Sequence, residues 1–248
     1  MINQDLQLKK LHILMLASGV DTHTIRWVNA LSEKGLKISL ASLHGYSKTI
    51  YSRVNQIQLI QKLPFGYFTA RYELTKFIEN ERVDIVHAHY ATGYGSLGRL
   101  LNAERYVLSV WGSDVLIFPG KSFLHRWLVQ KNIRAADVVC STSKIMEEVV
   151  ENLVPGKKCL ITPFGIDTRK FYPIEESRHN DKLIIGTVKK LTPIYGVDRL
   201  IRAFCECIRS LNAEGSDFSS NLELLIVGDG PERKKLEYLV SSLGIESY

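Results

Sequence analysis

The sequence predicts an α/β protein made of two doubly wound units, the second short of strands. Three observations carry that prediction. Short apolar, β-rich runs alternate with stretches of helical periodicity, the pattern of a parallel sheet covered by helices. Runs such as Val138-Val139-Cys140 are apolar without interruption, as in strands buried on both faces. After a turn-rich passage, Thr162-Pro163-Phe164-Gly165-Ile166-Asp167, the alternation restarts.

The elements follow in order. Strands are expected at 11–17, 37–42, 56–60, 83–87, 106–110, 137–141 and 159–162. Helices are expected between them at 23–34, 70–80, 94–102, 123–135 and 143–152. Ser143 is placed to cap the last of these, with Glu147 and Glu148 following. Beyond the break, residues 183–188 read as a strand, 197–211 as a helix, 222–227 as a strand and 232–243 as a helix. Two strands fall short of the five or six of a doubly wound sheet, so the second unit reads as unfinished at Tyr248. The domains expected are 1–165 and 166–248.

Composition narrows the function classes. The 248 residues are 45% hydrophobic and 23% charged, which excludes a disordered tail, a collagen-like repeat and a disulfide scaffold. The best apolar run, 11–20, is too short to span a bilayer and lacks a signal-peptide cleavage site. Cys140, Cys159, Cys205 and Cys207 have neither zinc-site nor CxxC spacing, and read as buried or inert thiols in a reducing cytosol. The net charge of +6 comes wholly from residues 1–165, which hold 20 Lys+Arg against 13 Asp+Glu. A basic face suits an anionic partner, and a solvated surface explains the same numbers. The cations form no stripe with an aromatic platform, which argues against nucleic acid.

Four stretches sit where parallel sheets bind ligands, beyond the C-terminal ends of strands. Gly19 and His23 lie in the first, where a glycine lets backbone approach a ligand and a helix start offers N–H donors. No GxGxxG accompanies them. The second holds His87 and His89, two apart and on one face of an extended segment. They read as a metal pair without a matching third ligand, as core histidines, or as a polar cleft lining with His89 as acid–base or substrate-binding group. The third is Trp111-Gly112-Ser113-Asp114, where Asp114 can accept from sugar hydroxyls, act as a base or cap a turn. The fourth joins Thr187, Lys189 and Lys190 to Gly228 and Gly230, a phosphate-friendly set.

The order of these motifs resembles the family 4 glycosyltransferases, retaining enzymes of GT-B architecture with two Rossmann-like domains. The passage 162–173 is similar to the family's P-x-G-[VI]-D…F-x-P, residues 196–204 to K-G-[VI]-D-x-L-I-x-A, and 226–232 to [IV]-V-G-x-G-P. The resemblance implies a GT-B-like α/β fold of two doubly wound domains, the second incomplete in this chain. It makes 1–165 the acceptor-side domain and 166–248 the start of a nucleotide-sugar-binding domain. His89 and Asp114 become the catalytic candidates, and Gly19, His23 and Trp111 the acceptor side. Thr187, Lys189, Lys190, Gly228 and Gly230 become the donor site. Many members carry a histidine where Trp111 stands, and the family's R-x4-K pair reads here as Lys190 and Tyr195.

The implied reaction moves a sugar from a nucleotide-sugar to a saccharide or lipid-linked acceptor, in surface polysaccharide or glycoconjugate synthesis. Lys190 and helix N-termini would neutralise the departing diphosphate, with no metal and no cofactor. The family's E-x7-E motif lies past the point corresponding to Tyr248, so a truncated chain without full transfer activity of its own is expected. A relic or an acceptor-binding subunit completed by a partner chain is one alternative, and a sugar-nucleotide 2-epimerase another. The localisation expected is cytoplasmic. Lys62, Phe65, Tyr67, Phe68 and Arg71 interleave cations and aromatics, which suits either a peripheral membrane edge at the inner face of the plasma membrane or inward packing.

Overall fold

β1 (His12–Leu16) is buried at all five positions and is the third strand in a seven-stranded parallel sheet. The structure, a computed structural model, describes residues 11–60, 66–173, 182–215 and 217–248. The chain divides into two compact units, Met1–Ile166 and Asp167–Tyr248.

In the first unit β1 is flanked by β2 (Lys37–Ser42) and β4 (Ile85–His89). β3 (Asn55–Gln58) extends the sheet on one side. β5 (Tyr106–Val110), β6 (Val138–Ser141) and β7 (Cys159–Ile161) extend it on the other. The order 3-2-1-4-5-6-7 reverses direction between β1 and β4, the switch point of a doubly wound sheet. Alternation along β1 builds two cores at once. Leu14 and Leu16 join Val86, Ala88 and Leu108 on one face, while Ile13 and Met15 join Val28, Ile38 and Leu40 on the other.

The crossover helices are α1 (Thr22–Glu33), α2 (Gly66–Thr69), α3 (Arg71–Glu81), α4 (Gly93–Leu101), α5 (Ser113–Leu116), α6 (Phe123–Ala135) and α7 (Lys144–Leu153). Asp21 caps α1, accepting from the backbone N–H groups of His23 and Thr24. Ser143 caps α7 through the Met146 N–H, as its position in the sequence predicts.

Some boundaries move. β4 runs two residues later than expected. Arg82 ends α3 in the left-handed region, and the Asp84 carboxylate takes the His12 N–H, so pairing with β1 begins at Ile85. His87 and His89 are therefore strand residues of the buried sheet. β3 stops at Gln58, beyond which Leu59 N–H donates to the Ser42 carbonyl and Ile60 is exposed. Cys207, read as one of four buried or inert thiols, is exposed.

In the second unit β8 (Leu183–Val188) and β9 (Leu222–Val227) pair in parallel, with Leu183 opposite Leu222 and Val188 opposite Val227. α8 (Val197–Ala213) and α9 (Arg233–Leu243) supply Ile201, Phe204, Ile208 and Leu236 to its core. Leu222, Leu224 and Ile226 face that core, while Leu225 and Val227 stay exposed among the described residues.

Candidate functional site

The C-terminal ends of β1, β4 and β5 converge at the switch point of the first unit. There they enclose a cavity of about 260 Å³ lined by Asp21, Thr24, His44, His89 and Trp111, with Tyr67, Tyr90 and Tyr94 completing the wall.

His89 is the last residue of β4 and only 1% exposed. Its Nδ1 lies 3.5 Å from Thr24 Oγ1, and its Nε2 has no hydrogen-bond partner among the described residues. The ring sits 4.6 Å from the Trp111 ring and 4.8 Å from that of His87. Burial first, then the neighbouring His87 and His23, hold its pKa well below the ordinary histidine value. His87 bonds Ser109 Oγ through Nε2 at 2.8 Å, and burial pushes its pKa down to about 4. Both imidazoles are neutral at pH 7. His89 is thus a weak base but a dependable hydrogen-bonding group with one free ring nitrogen. Among the described residues no group of three His, Cys, Asp or Glu is placed to hold a metal.

The pH dependence follows from His87. Its folded pKa lies below the unfolded value of 6.5. The unfolded chain therefore takes up the proton first as pH falls, and stability present above pH 6.5 is lost between 6.5 and about 4. The two pKa values differ enough for a loss on the order of 3 kcal/mol across that window. Urea unfolding from pH 7 to 4.5 measures it. The His87 imidazole resonances should remain untitrated through pH 6.

Asp114 is 2% exposed. One oxygen, Oδ2, accepts from the Ala91 N–H at 2.7 Å, and Oδ1 accepts from the N–H groups of Trp111 (3.1 Å) and Gly112 (2.9 Å). Burial pushes its carboxyl above the usual range although these bonds favour the charged form. The carboxylate ties the turn after β4 to the turn after β5, and it starts α5, an element invisible in the sequence pattern. Of its expected roles, the geometry displays turn capping.

His23, on the first turn of α1, stacks on Phe164 with ring centroids 3.7 Å apart and meets Trp111 edge-on at 5.6 Å. The turn containing Phe164 is also held by Arg26, which donates to the Gly165 carbonyl. Gly19, expected on the acceptor side, is close-packed. A Cβ there would lie 2.3 Å from the Gly45 carbonyl oxygen and 2.5 Å from Tyr46, so glycine is needed for packing against a neighbouring loop. Its N–H donates to Ser42 Oγ.

Sequence reasoning gave no role to Thr24, His44 or Tyr94, nor to Asp21 and Tyr90 within the ligand-site stretches 18–23 and 87–90. Tyr94 starts the helix expected at 94–102 and is buried in the core. Its hydroxyl meets His44 Nδ1 at 2.7 Å and accepts from the Leu43 N–H at 3.0 Å. Tyr90 follows β4 with φ +72°, a strained conformation for a bulky residue, fixed by its N–H to Ser109 and its carbonyl from Gly95. Of the basic–aromatic stretch expected to meet a membrane, residues 61–65 lie outside the described residues. Tyr67 packs inward, 5.1 Å from the Tyr94 ring.

In the second unit Thr187 is half-buried near the end of β8, and Lys189 and Lys190 follow it, both exposed. The Lys189 ammonium lies 5.3 Å from the centre of the Tyr195 ring. Gly228 and Gly230, expected in a turn at the donor site, are close-packed on this segment. A Cβ on Gly228 would come within 1.9 Å of the Lys189 carbonyl oxygen, and one on Gly230 within 2.3 Å of that of Leu191. Lys189 N–H donates to the Val227 carbonyl, and Leu191 N–H to that of Asp229. Two glycines thus let the turns after β8 and β9 zip together, holding Lys190 beside the strand ends.

Comparison with known proteins adds the family signal. Residues 12–143 match the family model described as "Glycosyl transferase 4-like". The chain is 26% identical over 229 residues to an uncharacterized glycosyltransferase of Methanocaldococcus jannaschii, covering 90% of this chain and 59% of that protein. It is 27% identical over 210 residues to N-acetyl-alpha-D-glucosaminyl L-malate synthase of Bacillus anthracis, covering 78% of this chain and 51% of that one. The chain thus spans about half the length of the curated relatives it matches. Among solved structures, sucrose-phosphate synthase from Thermosynechococcus elongatus superposes with a TM-score of 0.72 at 14% identity, over 96% of this chain and 69% of that one. A likeness at that identity carries the fold class alone, and that class is the one the sequence predicts.

Proposed function

The chain belongs to the glycosyl transferase 4-like family, and on that footing we propose that it takes part in moving a sugar from a nucleotide-sugar donor to a saccharide or lipid-linked acceptor. The single observation that carries the acceptor side is the cavity at the switch point between β1 and β4. Its aromatic walls, Trp111 and Tyr94 among them, suit the C–H faces of a sugar ring. Asp21, Thr24 and the free Nε2 of His89 suit its hydroxyls. His89 then binds and orients an acceptor hydroxyl, and its depressed pKa leaves it neutral while it does so. Asp114 acts through position, holding Trp111 and the backbone of Ala91 in place.

On the donor side we assign Lys190 to the diphosphate, with Lys189 and the backbone near Thr187 in support. Transfer through an oxocarbenium-like state requires negative charge on the leaving phosphate to be stabilised, and an exposed ammonium at a strand end supplies that as a point charge. Gly228 and Gly230 enter as the residues that fix the Lys189–Leu191 backbone. A lipid-linked acceptor would bring the protein to the inner face of a membrane from the cytoplasm, in polysaccharide or glycoconjugate synthesis.

Calorimetric titration with uridine and guanosine diphosphates tests the donor assignment. Lys190→Ala should weaken the tighter of the two by about fivefold to tenfold, the range of one partly exposed charge-assisted contact. Unchanged affinity removes Lys190 from the site.

A further inference from the structure

Between Asp114 and Asp137 the chain carries Lys121, Arg126, Lys131 and Arg134 and not one Asp or Glu. The same segment holds the densest group of exposed apolar side chains in the first unit's described residues. On α5 and the turn after it, Leu116 is 54% exposed and Ile117 is exposed beside it. At the start of α6, Phe123 is 76% and Leu124 66% exposed, with Trp127 one turn further on. A monomeric surface scatters such residues singly, and a contiguous group of them marks a contact site. The four cations are all exposed and stand among them. Lys121 lies over the Phe118 ring at 5.5 Å and Lys131 over that of Trp127 at the same distance. Both ammonium groups thus sit over aromatic faces, where the ring quadrupole attracts a cation.

We propose that this face, formed by α5, the turn at 116–122 and the first half of α6, docks on an anionic lipid surface. Charge complementarity selects that occupant. Apolar and aromatic tips flanked by cations, on a segment that carries no carboxylate between Asp114 and Asp137, match the boundary between acyl chains and negatively charged headgroups, with the exposed Glu148 and Glu151 of the adjoining α7 at its margin. Of the stretch 62–71, for which a membrane edge and inward packing are both expected from sequence, Tyr67 lines the cavity wall and 62–65 lie outside the described residues. The face begins at Leu116, five residues after Trp111, and α5 between them is clamped by Asp114. A headgroup at the bilayer edge would thus lie close along the chain to the cavity. The inference does not rest on the transfer reading, because lipid binding needs neither donor nor acceptor.

Co-sedimentation of the full chain with vesicles tests it. Vesicles of phosphatidylcholine with one-third phosphatidylglycerol should bind the chain at low salt and release it at high salt, and pure phosphatidylcholine should bind it poorly. Phe123→Ser with Leu124→Ser should weaken binding at least about tenfold, from two lost apolar insertions. Lys121→Gln with Arg126→Gln should weaken it about fivefold for each cation removed. All four side chains are exposed, so thermal unfolding should be unchanged and serves as the folding control. Brominated lipid should quench tryptophan fluorescence in the parent chain and lose most of that effect in Trp127→Phe. Absence of binding to the anionic vesicles overturns the proposal, as does binding that both double variants retain. Sedimentation velocity that shows the face joining two copies, abolished by Phe123→Ser with Leu124→Ser and without lipid binding, overturns it too.

Discussion

Asp114→Ala is expected to destabilise the first unit by on the order of 4 kcal/mol, because it strands buried backbone donors that cost about 1–3 kcal/mol each when unpaired. Three N–H groups, those of Ala91, Trp111 and Gly112, depend on this one carboxylate. No other acceptor for them is formed among the described residues, and Asp114 is too buried for water to replace it without rearrangement. Asp114→Asn should cost less. Its amide oxygen can still serve Trp111 and Gly112, while its NH₂ group confronts the Ala91 N–H. Urea unfolding monitored by tryptophan fluorescence reads the difference, since Trp27, Trp111 and Trp127 all lie in the first unit. A catalytic base at this position would give the opposite pattern, with stability retained and activity alone lost.

Gly228→Ala should unfold the second unit selectively. The residue has φ +154°, and an added Cβ would overlap the Lys189 carbonyl oxygen, a backbone atom that cannot rotate away. The turns after β8 and β9 must separate, breaking the Lys189–Val227 and Leu191–Asp229 bonds. Strain and lost bonds together place the cost above about 3 kcal/mol, in the range reserved for backbone positions of this kind. Hydrogen exchange at Leu224 and Ile226 should accelerate sharply, with the tryptophan-detected transition of the first unit unmoved. Gly186→Ala is the control. Its nearest neighbour would be 3.9 Å away, and exchange there should stay slow.

Much of the fold could be read from the sequence because each unit repeats a strong local pattern. α6, β8 and β9 fall where the periodicity puts them, since uninterrupted apolar runs and a Ser N-cap leave little freedom. α5 could not be read that way. Four residues carry no periodicity, and it exists because a carboxylate gathers N–H groups from two separate turns. The candidate site was half legible. His89 and Trp111 announce themselves by residue type at strand ends. Tyr94 and His44 meet only after β2 and α4 pack, with 50 residues of chain between them. Gly19, Gly228 and Gly230 stand out in the sequence at strand ends, but a sequence does not say whether a glycine makes room for a ligand or for a neighbouring strand's loop. Here the close contacts are with backbone or side chains of the protein itself.

In the proposed reaction, sugar leaves a nucleotide donor for an acceptor held at the switch-point cavity. This transfer is tested most directly by following release of nucleoside diphosphate from a panel of nucleotide-sugars, with and without saccharide and lipid-linked acceptors, and identifying the products by mass. Release that requires an acceptor, yields a glycosylated product and is impaired when His89→Ala removes the free ring nitrogen is the predicted result. Release without any acceptor, accompanied by a free epimerised sugar, or release indifferent to His89, would contradict it.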